Sequence, residues 1–200
     1  PGPGRDAVRA RWGLTPTQPV VLYTGTFEQY QGLDLLLEAS LRLKARVPDV
    51  AVLIVGGAPA QVEALEARAK AAGAPLVCTG QRPPVEVPHF VDACDVLVSP
   101  RIAGTNTPLK IYSYLRSGRP IVATDLRTHT QVLTPEASVL VAPTPDALAE
   151  GLARVLGDRD EATRVAAAAQ RLADTRYSRE SYLSRTRRAY DLLLRALRPG

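Results

Sequence analysis

Six short runs of continuous apolar or β-branched residues, separated by helical stretches, leave this chain few ways to fold. They are Val20–Thr24, Val50–Val55, Leu76–Thr79, Val96–Ser99, Ile121–Thr124 and Val139–Val141. Continuous rather than alternating runs suit strands that are covered on both faces. Between and after them, helical spacing predicts Leu33–Arg46, Ala60–Ala72, Val85–Ala93, Pro108–Ser117 and Asp146–Leu156 as helices. Strand and helix in alternation imply a parallel sheet with right-handed crossovers. The expected fold is therefore α/β, a single Rossmann-like, doubly wound sheet of about six strands. Two helices, Glu161–Thr175 and Ser178–Leu197, close the chain with no strand between them.

Ligands of such sheets bind beyond the carboxyl ends of the strands. Glycines mark those ends: Gly25 after the first run, Gly56-Gly57 after the second and Gly80 after the third, with Gly104 shortly beyond the fourth. Glycine lets the backbone turn tightly and come close to a ligand. One rim of the sheet is thus the expected binding edge.

The segment Thr105–Pro120 lies on that rim and reads as a helix with punctuation at both ends. Thr107 is placed as its N-cap and Pro108 at the first helical position, with Gly118 and Pro120 closing it. Lys110 then falls in the first turn, where the helix dipole favours a carboxylate. A cation there makes sense beside a bound anion, which points to phosphate.

Composition narrows the function by exclusion. With 46% hydrophobic and 22% charged residues over 200 positions, the chain has the make-up of a globular domain able to bury a core. No run reaches the roughly 18 apolar residues of a membrane span. No basic-then-apolar leader is present either. The net charge of +5 comes almost wholly from arginine, with only Lys44, Lys70 and Lys110 as lysines. The arginine-rich tail lacks the interleaved aromatics of a single-strand binder and reads as solvated helix faces, so no nucleic-acid partner is expected. Cys78 and Cys94 lack metal-ligand spacing and fit two reduced thiols in a cytoplasmic protein. Asp158-Arg159-Asp160, between two helices, reads as a helix cap rather than a metal motif. The opening Pro1-Gly2-Pro3-Gly4 reads as a linker or remnant in front of one domain.

Several landmarks recur in a fixed order. They are Leu22-Tyr23-Thr24-Gly25 with Tyr30-Gln31-Gly32-Leu33-Asp34, then Leu53-Ile54-Val55-Gly56-Gly57, and Thr79-Gly80 followed by Val87-Pro88-His89-Phe90. Ala93-Cys94-Asp95-Val96 through Pro100, Gly118-Arg119-Pro120-Ile121-Val122, and a closing helix entered through Tyr177-Ser178-Arg179-Glu180 complete the series. On these residues the chain resembles the C-terminal, nucleotide-sugar-binding domain of GT-B glycosyltransferases, and more narrowly the retaining family four, or group 1. The resemblance covers nearly all of the chain. It implies a nucleotide-sugar donor such as a UDP- or GDP-sugar, no cofactor, transfer with retention, and no metal. It also implies an N-terminal acceptor-binding domain on the same polypeptide, without which these residues alone should not catalyse transfer. Any membrane contact, peripheral at the inner face, would come through that other half.

The family's functional residues carry over only in part. Its two glutamates, eight positions apart, fall on Thr105 and Ser113. The arginine after its first glycine and the lysine before its second fall on Thr26 and Gln31. Some relatives acting on bacterial surface polysaccharides share the Pro-x-Lys-x-(Tyr/Phe)-x-Tyr pattern that Pro108–Tyr114 fits, so Lys110 is the expected compensation. With Lys110 and Ser113 three apart on one helix face, the expected donor site comprises Gly25, Thr26, Gln31, Gly56, Gln81, Arg82, Arg101, Thr105, Asn106, Thr107, Pro108, Leu109, Lys110 and Ser113. His129, just after a strand end, is a further candidate, whereas His89 beside Phe90 reads as packing. Catalytic residues are not assigned. A nucleotide-binding regulatory module that has lost catalysis, or a nucleotide-sugar epimerase of the same fold, are the alternatives.

Overall fold

The computed structural model describes residues 3–196. The first strand is β1 (Val20–Thr24), followed by β2 (Ala51–Val55), β3 (Leu76–Gly80), β4 (Val96–Ser99), β5 (Ile121–Thr124) and β6 (Val139–Val141). They form one six-stranded, all-parallel sheet in the order β3-β2-β1-β4-β5-β6. The strand order reverses direction between β1 and β4, which opens a crevice at their carboxyl ends.

Helices cover both faces, as continuous apolar strands require. On one face lie α1 (Arg5–Arg11), α4 (Val87–Ala93), α5 (Lys110–Arg116) and α8 (Arg159–Arg176). They pack Phe90, Ile111, Leu115 and Ala169 onto Val20, Leu22, Leu53, Leu97 and Ile121. On the other lie α2 (Leu33–Arg46), α3 (Pro59–Ala72) and α7 (Pro145–Gly157), whose Leu36, Leu43, Leu65 and Leu152 meet Val21, Ile54, Val98 and Val122. Alternate residues of β1 therefore feed two cores. Leu22, Leu36, Leu53, Leu97 and Leu115 are all fully buried, each contributing about 1.5–3 kcal/mol. The last two helices are α8 and α9 (Arg179–Ala196).

Three differences from the sequence reading bear on the site and its frame. The segment before β1, to which the sequence reading assigned no element, contains α1, with Gly4 as its N-cap. Pro1 and Gly2, read as linker, and positions 197–198 of the terminal helix lie outside the described residues. A four-residue helix, α6 (Arg127–Thr130), to which the sequence reading assigned no element, follows β5. Most consequentially, α5 starts at Lys110 and not at Pro108. Its cap position is Leu109, with no side-chain cap bond, so Thr107 does not cap it. Pro108 instead offers its carbonyl to Ile111 N–H at 3.0 Å, in a tight turn that precedes the helix. Asp158 does cap α8, accepting the Glu161 N–H at 2.8 Å. Cys78 and Cys94 are both free and buried, and burial pushes their thiols up to about 11 and about 12.

Candidate functional site

The rim at the carboxyl ends of β1, β2 and β3 is laced by backbone. Gly25 N–H donates to Val55 O at 3.0 Å and Gly56 N–H to Gly80 O at 2.9 Å. Gly25 and Gly56 have φ of +148° and +132°, which side-chain-bearing residues rarely adopt. A Cβ on Gly56 would lie 1.9 Å from Gly25 O, so the two loops approach as closely as backbones can.

Beside this rim, at the β1/β4 crevice, is a cavity of about 500 Å³. Thr24, Gly25, Thr26 and Gln31 line it from the β1–α2 segment, and Val55 and Gly56 from β2. Gln81, Arg82, Pro84 and Val87 come from beyond β3, Arg101 from beyond β4, and Pro108, Leu109 and Lys110 from the start of α5. Ten of the fourteen residues expected from sequence thus meet in one cavity wall.

Two cations dominate it. Lys110, the first residue of α5, reaches back across the crevice so that its Nζ donates to Thr24 O at 3.0 Å. The same Nζ stands 3.9 Å from the centre of the Tyr23 ring, within cation–π range. Arg101, 7% exposed, donates through Nη1 to Asn106 O at 2.8 Å and Thr128 Oγ1 at 2.9 Å. Its Nε meets Gln31 Oε1 at 3.4 Å, and its guanidinium lies 4.9 Å from the Tyr30 ring centre. Among the described residues neither cation has a carboxylate within 4 Å. Burial, and then the Arg101 charge, hold the Lys110 ammonium well below its ordinary pKa. A third cation, Arg82, stacks 4.8 Å from the Trp12 ring centre, and its buried Nε has no hydrogen-bond partner. Like charges held together without counter-charges make an anion site in electrostatic terms.

The sequence profile of the glycosyl transferases group 1 matches residues 18–158 of this chain. The chain belongs to that family. It is 30% identical over 178 residues to a phosphatidyl-myo-inositol mannosyltransferase of Mycobacterium tuberculosis, covering 86% of the chain and 46% of that protein. A D-inositol 3-phosphate glycosyltransferase of Nocardia farcinica is 29% identical over 171 residues, with 80% of this chain and 38% of that protein covered. The chain thus spans less than half the length of these two curated relatives. In fold it is similar to Anabaena HepE in complex with UDP, with a TM-score of 0.80 at 20% identity. That match covers 94% of this chain and 52% of the Anabaena one. The C-terminal domain of the group 1 protein LpcC from Francisella tularensis superposes with a TM-score of 0.74 at 19% identity, covering 90% of this chain and 95% of that one. The architecture is that of the C-terminal, Rossmann-like half of a GT-B enzyme.

In this group 1 domain the remaining expected residues stand apart from the cavity wall. Thr105 and Asn106 are exposed and Thr107 is half-buried. Their loop is held by its backbone, Asn106 O by Arg101 and Thr128 Oγ1, and Thr105 O by Gln131 Nε2 at 2.9 Å. Ser113 is exposed on the turn of α5 after Lys110. His129 is not a cavity residue. It is fully buried, donating from Nδ1 to Thr124 O at 2.8 Å and accepting the Ser99 hydroxyl at Nε2, also at 2.8 Å. Burial pushes its pKa down to about 4, so it is a neutral strut beneath the site. His89 lies with Trp12 and Phe90 between α1 and α4, where packing was expected. Tyr23, Tyr30 and Trp12, which seat the three cations, were not among the site residues expected from sequence. The aromatic at position 23 reads as one more strand residue until its hydroxyl is seen to donate to Thr26 O at 2.7 Å.

Proposed function

We propose that this domain binds the diphosphate of a nucleotide-sugar and forms the donor half of a transferase. The observation that carries the reading is the pairing of Lys110 and Arg101, unneutralised, at the crevice where strand order reverses. Family positions for diphosphate-binding cations hold Thr26 and Gln31 here. Lys110 and Arg101 bring charge to the same place from α5 and the β4 loop, and Gln31 is touched by Arg101 itself.

In this reading the diphosphate lies across Gly25, Lys110 and Arg101, with Gln81 and Arg82 toward the base. Ser113 lies three residues after Lys110 on α5, on the side where ribose or sugar hydroxyls would run in this reading, with the Thr105–Thr107 loop preceding the helix. The cations are placed where negative charge grows as the diphosphate departs, which would accelerate transfer without a metal. The parent protein would pass the sugar to an acceptor with retention, using an acceptor-binding domain across the crevice. This domain alone would bind donor and not transfer it.

Calorimetric titration of the chain with UDP, GDP and ADP tests the reading. Binding of at least one, weakened tenfold or more by Lys110→Ala, is expected. No binding by any of them overturns it. A second reading, a nucleotide-binding module without turnover, is favoured by one feature: Thr105 and Ser113 where the family carries glutamates. Nucleotide binding with no transfer by the full-length protein over a panel of donors and acceptors would select it.

A further inference from the structure

The guanidinium of Arg101 is fastened on most of its edge and left open at one nitrogen. A guanidinium carries five N–H donors in a fixed, planar fork. Nη1 directs its donors into the protein, to Asn106 O at 2.8 Å and to Thr128 Oγ1 at 2.9 Å. The Thr128 hydroxyl in turn donates to Asn106 O at 2.6 Å, so the three groups close a triangle in which each proton has an acceptor. Nε is turned to Gln31 Oε1 at 3.4 Å, and Gln31 Nε2 to Thr26 Oγ1, also at 3.4 Å. Nη2 has no protein partner among the described residues. It is not sealed from solvent either, and Arg101 lines the cavity.

The backbone around the fork enforces this pose. Thr124 Oγ1 donates to Arg101 O at 2.6 Å. Gly104, with a φ of +122°, passes so near that a Cβ there would lie 3.0 Å from Nη1. Thr128 itself is fully buried on α6 and is not part of the cavity wall. It therefore cannot touch a ligand in the cavity. What its hydroxyl can do is decide where the free arm of Arg101 points.

We infer that Thr128 is a positioning residue for the second phosphate of the donor: by fixing Nη1 against Asn106 it leaves Nη2 free for the phosphate that bears the sugar. The inference rests on the reading of this cavity as a nucleotide site. Sheet order decides which phosphate is meant. Gln81 and Arg82, toward the base, follow β3, Lys110 is seated on Thr24 at the end of β1, and Arg101 follows β4. In the order β3-β2-β1-β4, Lys110 stands between the base and Arg101, so Arg101 meets the distal phosphate. An arginine already held in its binding pose loses little rotamer freedom when the ligand arrives. Thr26 and Gln31, where the family's diphosphate-binding cations fall, bring no charge of their own and instead steady the residue that does.

Calorimetry with UDP, GDP and ADP, each against its own monophosphate, tests this. In the unaltered chain the diphosphate is expected to bind more tightly than the monophosphate. Thr128→Val keeps the shape and loses the hydroxyl. It should weaken the diphosphate about tenfold, as expected for a misaligned charged hydrogen bond, and leave the monophosphate unchanged. Thr128→Ser should restore the preference. Arg101→Lys keeps the charge but cannot hold Asn106 O and reach a phosphate at once, so it should also lose the preference. Adding Thr128→Val to it should then remove nothing further. Thr128→Val binding the diphosphate normally, weakening both nucleotides alike, or adding its full loss to that of Arg101→Lys overturns the positioning role and leaves the nucleotide site standing. Should Thr128→Val fail to fold, Arg101→Lys decides: a lost preference supports the oriented fork and an undiminished one overturns it. If no nucleotide binds the unaltered chain, the role falls together with the site.

Discussion

The hydroxyl of Tyr114 accepts the Thr24 N–H at 3.0 Å and lies 2.9 Å from Thr24 Oγ1. The helix that carries Lys110 is thereby fastened to the strand residue whose carbonyl Lys110 holds. Thr24 is the last residue of β1, where the chain leaves the sheet, and its N–H is satisfied by this side chain. Both residues are buried.

Tyr114→Phe removes that acceptor and little else. The orphaned N–H cannot reach water, so the loss should be about 1–3 kcal/mol. Urea unfolding of the two proteins measures it. A loss below about 0.5 kcal/mol, typical of neutral surface changes, would mean that water or relaxation satisfies Thr24.

A second fastening lies at the opposite end of the strands. Arg9 is fully buried, and its guanidinium donates to the carbonyls of Ala93, Thr15, Pro16 and Gln18 and to Asp95 at 2.9 Å. Asp95 also takes the Val20 N–H at 2.8 Å, tying α1 to the start of β1. Asp95→Ala leaves a buried cation facing only carbonyls. Removing one partner of a buried pair costs about 3–5 kcal/mol. Because Asp95 is 32% exposed, the expected cost is at the lower end. Thermal unfolding should show a fall of many degrees, with UDP binding retained at temperatures where the variant stays folded.

These two fastenings also show what could and could not be read from the chain. The strands were legible because each is buried on both faces, so its apolar run is unbroken; four of the six matched residue for residue. The segment Arg5–Arg11 was opaque because α1 owes its place to the ion pair between Arg9 and Asp95, eighty-six positions apart. No periodicity encodes such a pair. The start of α5 was misread because Thr107-Pro108 has cap chemistry. The carbonyl of Asn106 is instead held by Arg101 and Thr128, and the helix starts only at Lys110. Lys110 itself was legible as a cation out of place at a helix start. That Tyr23 and Thr24 would receive it was not, since both read as strand.

His129 gives a pH signature. Its neutral form is held by Ser99 and Thr124, and burial depresses its pKa from 6.5 to about 4. The unfolded chain therefore binds a proton that the folded chain refuses between those values. Stability is fully present above about pH 6.5 and is lost as pH falls toward 4, by up to about 3 kcal/mol. His129→Leu cannot titrate, so the difference in stability between the two proteins should narrow across that window. Urea midpoints at pH 4.5, 6 and 7.5 decide it; a constant difference would place the titration elsewhere.

The rim itself can be tested at Gly56. An alanine there faces both a φ of +132° and a Cβ 1.9 Å from Gly25 O. Relief requires the ends of β1 and β2 to separate, which breaks the Gly25 N–H bond to Val55 O and carries Gly25 away from Lys110. Strain and lost bonds together should cost about 2–4 kcal/mol. Gly118→Ala is the comparison, with a φ of +71° and a nearest contact of 3.1 Å to Gln170 Nε2, the end of a flexible side chain. It should cost only the left-handed penalty of about 1–2 kcal/mol. Gly118 is not part of the cavity wall, so nucleotide affinity should survive in Gly118→Ala and fall in Gly56→Ala even where both are folded. Equal stability and equal affinity in the two variants would mean that the close approach of the β1 and β2 loops does not shape the site.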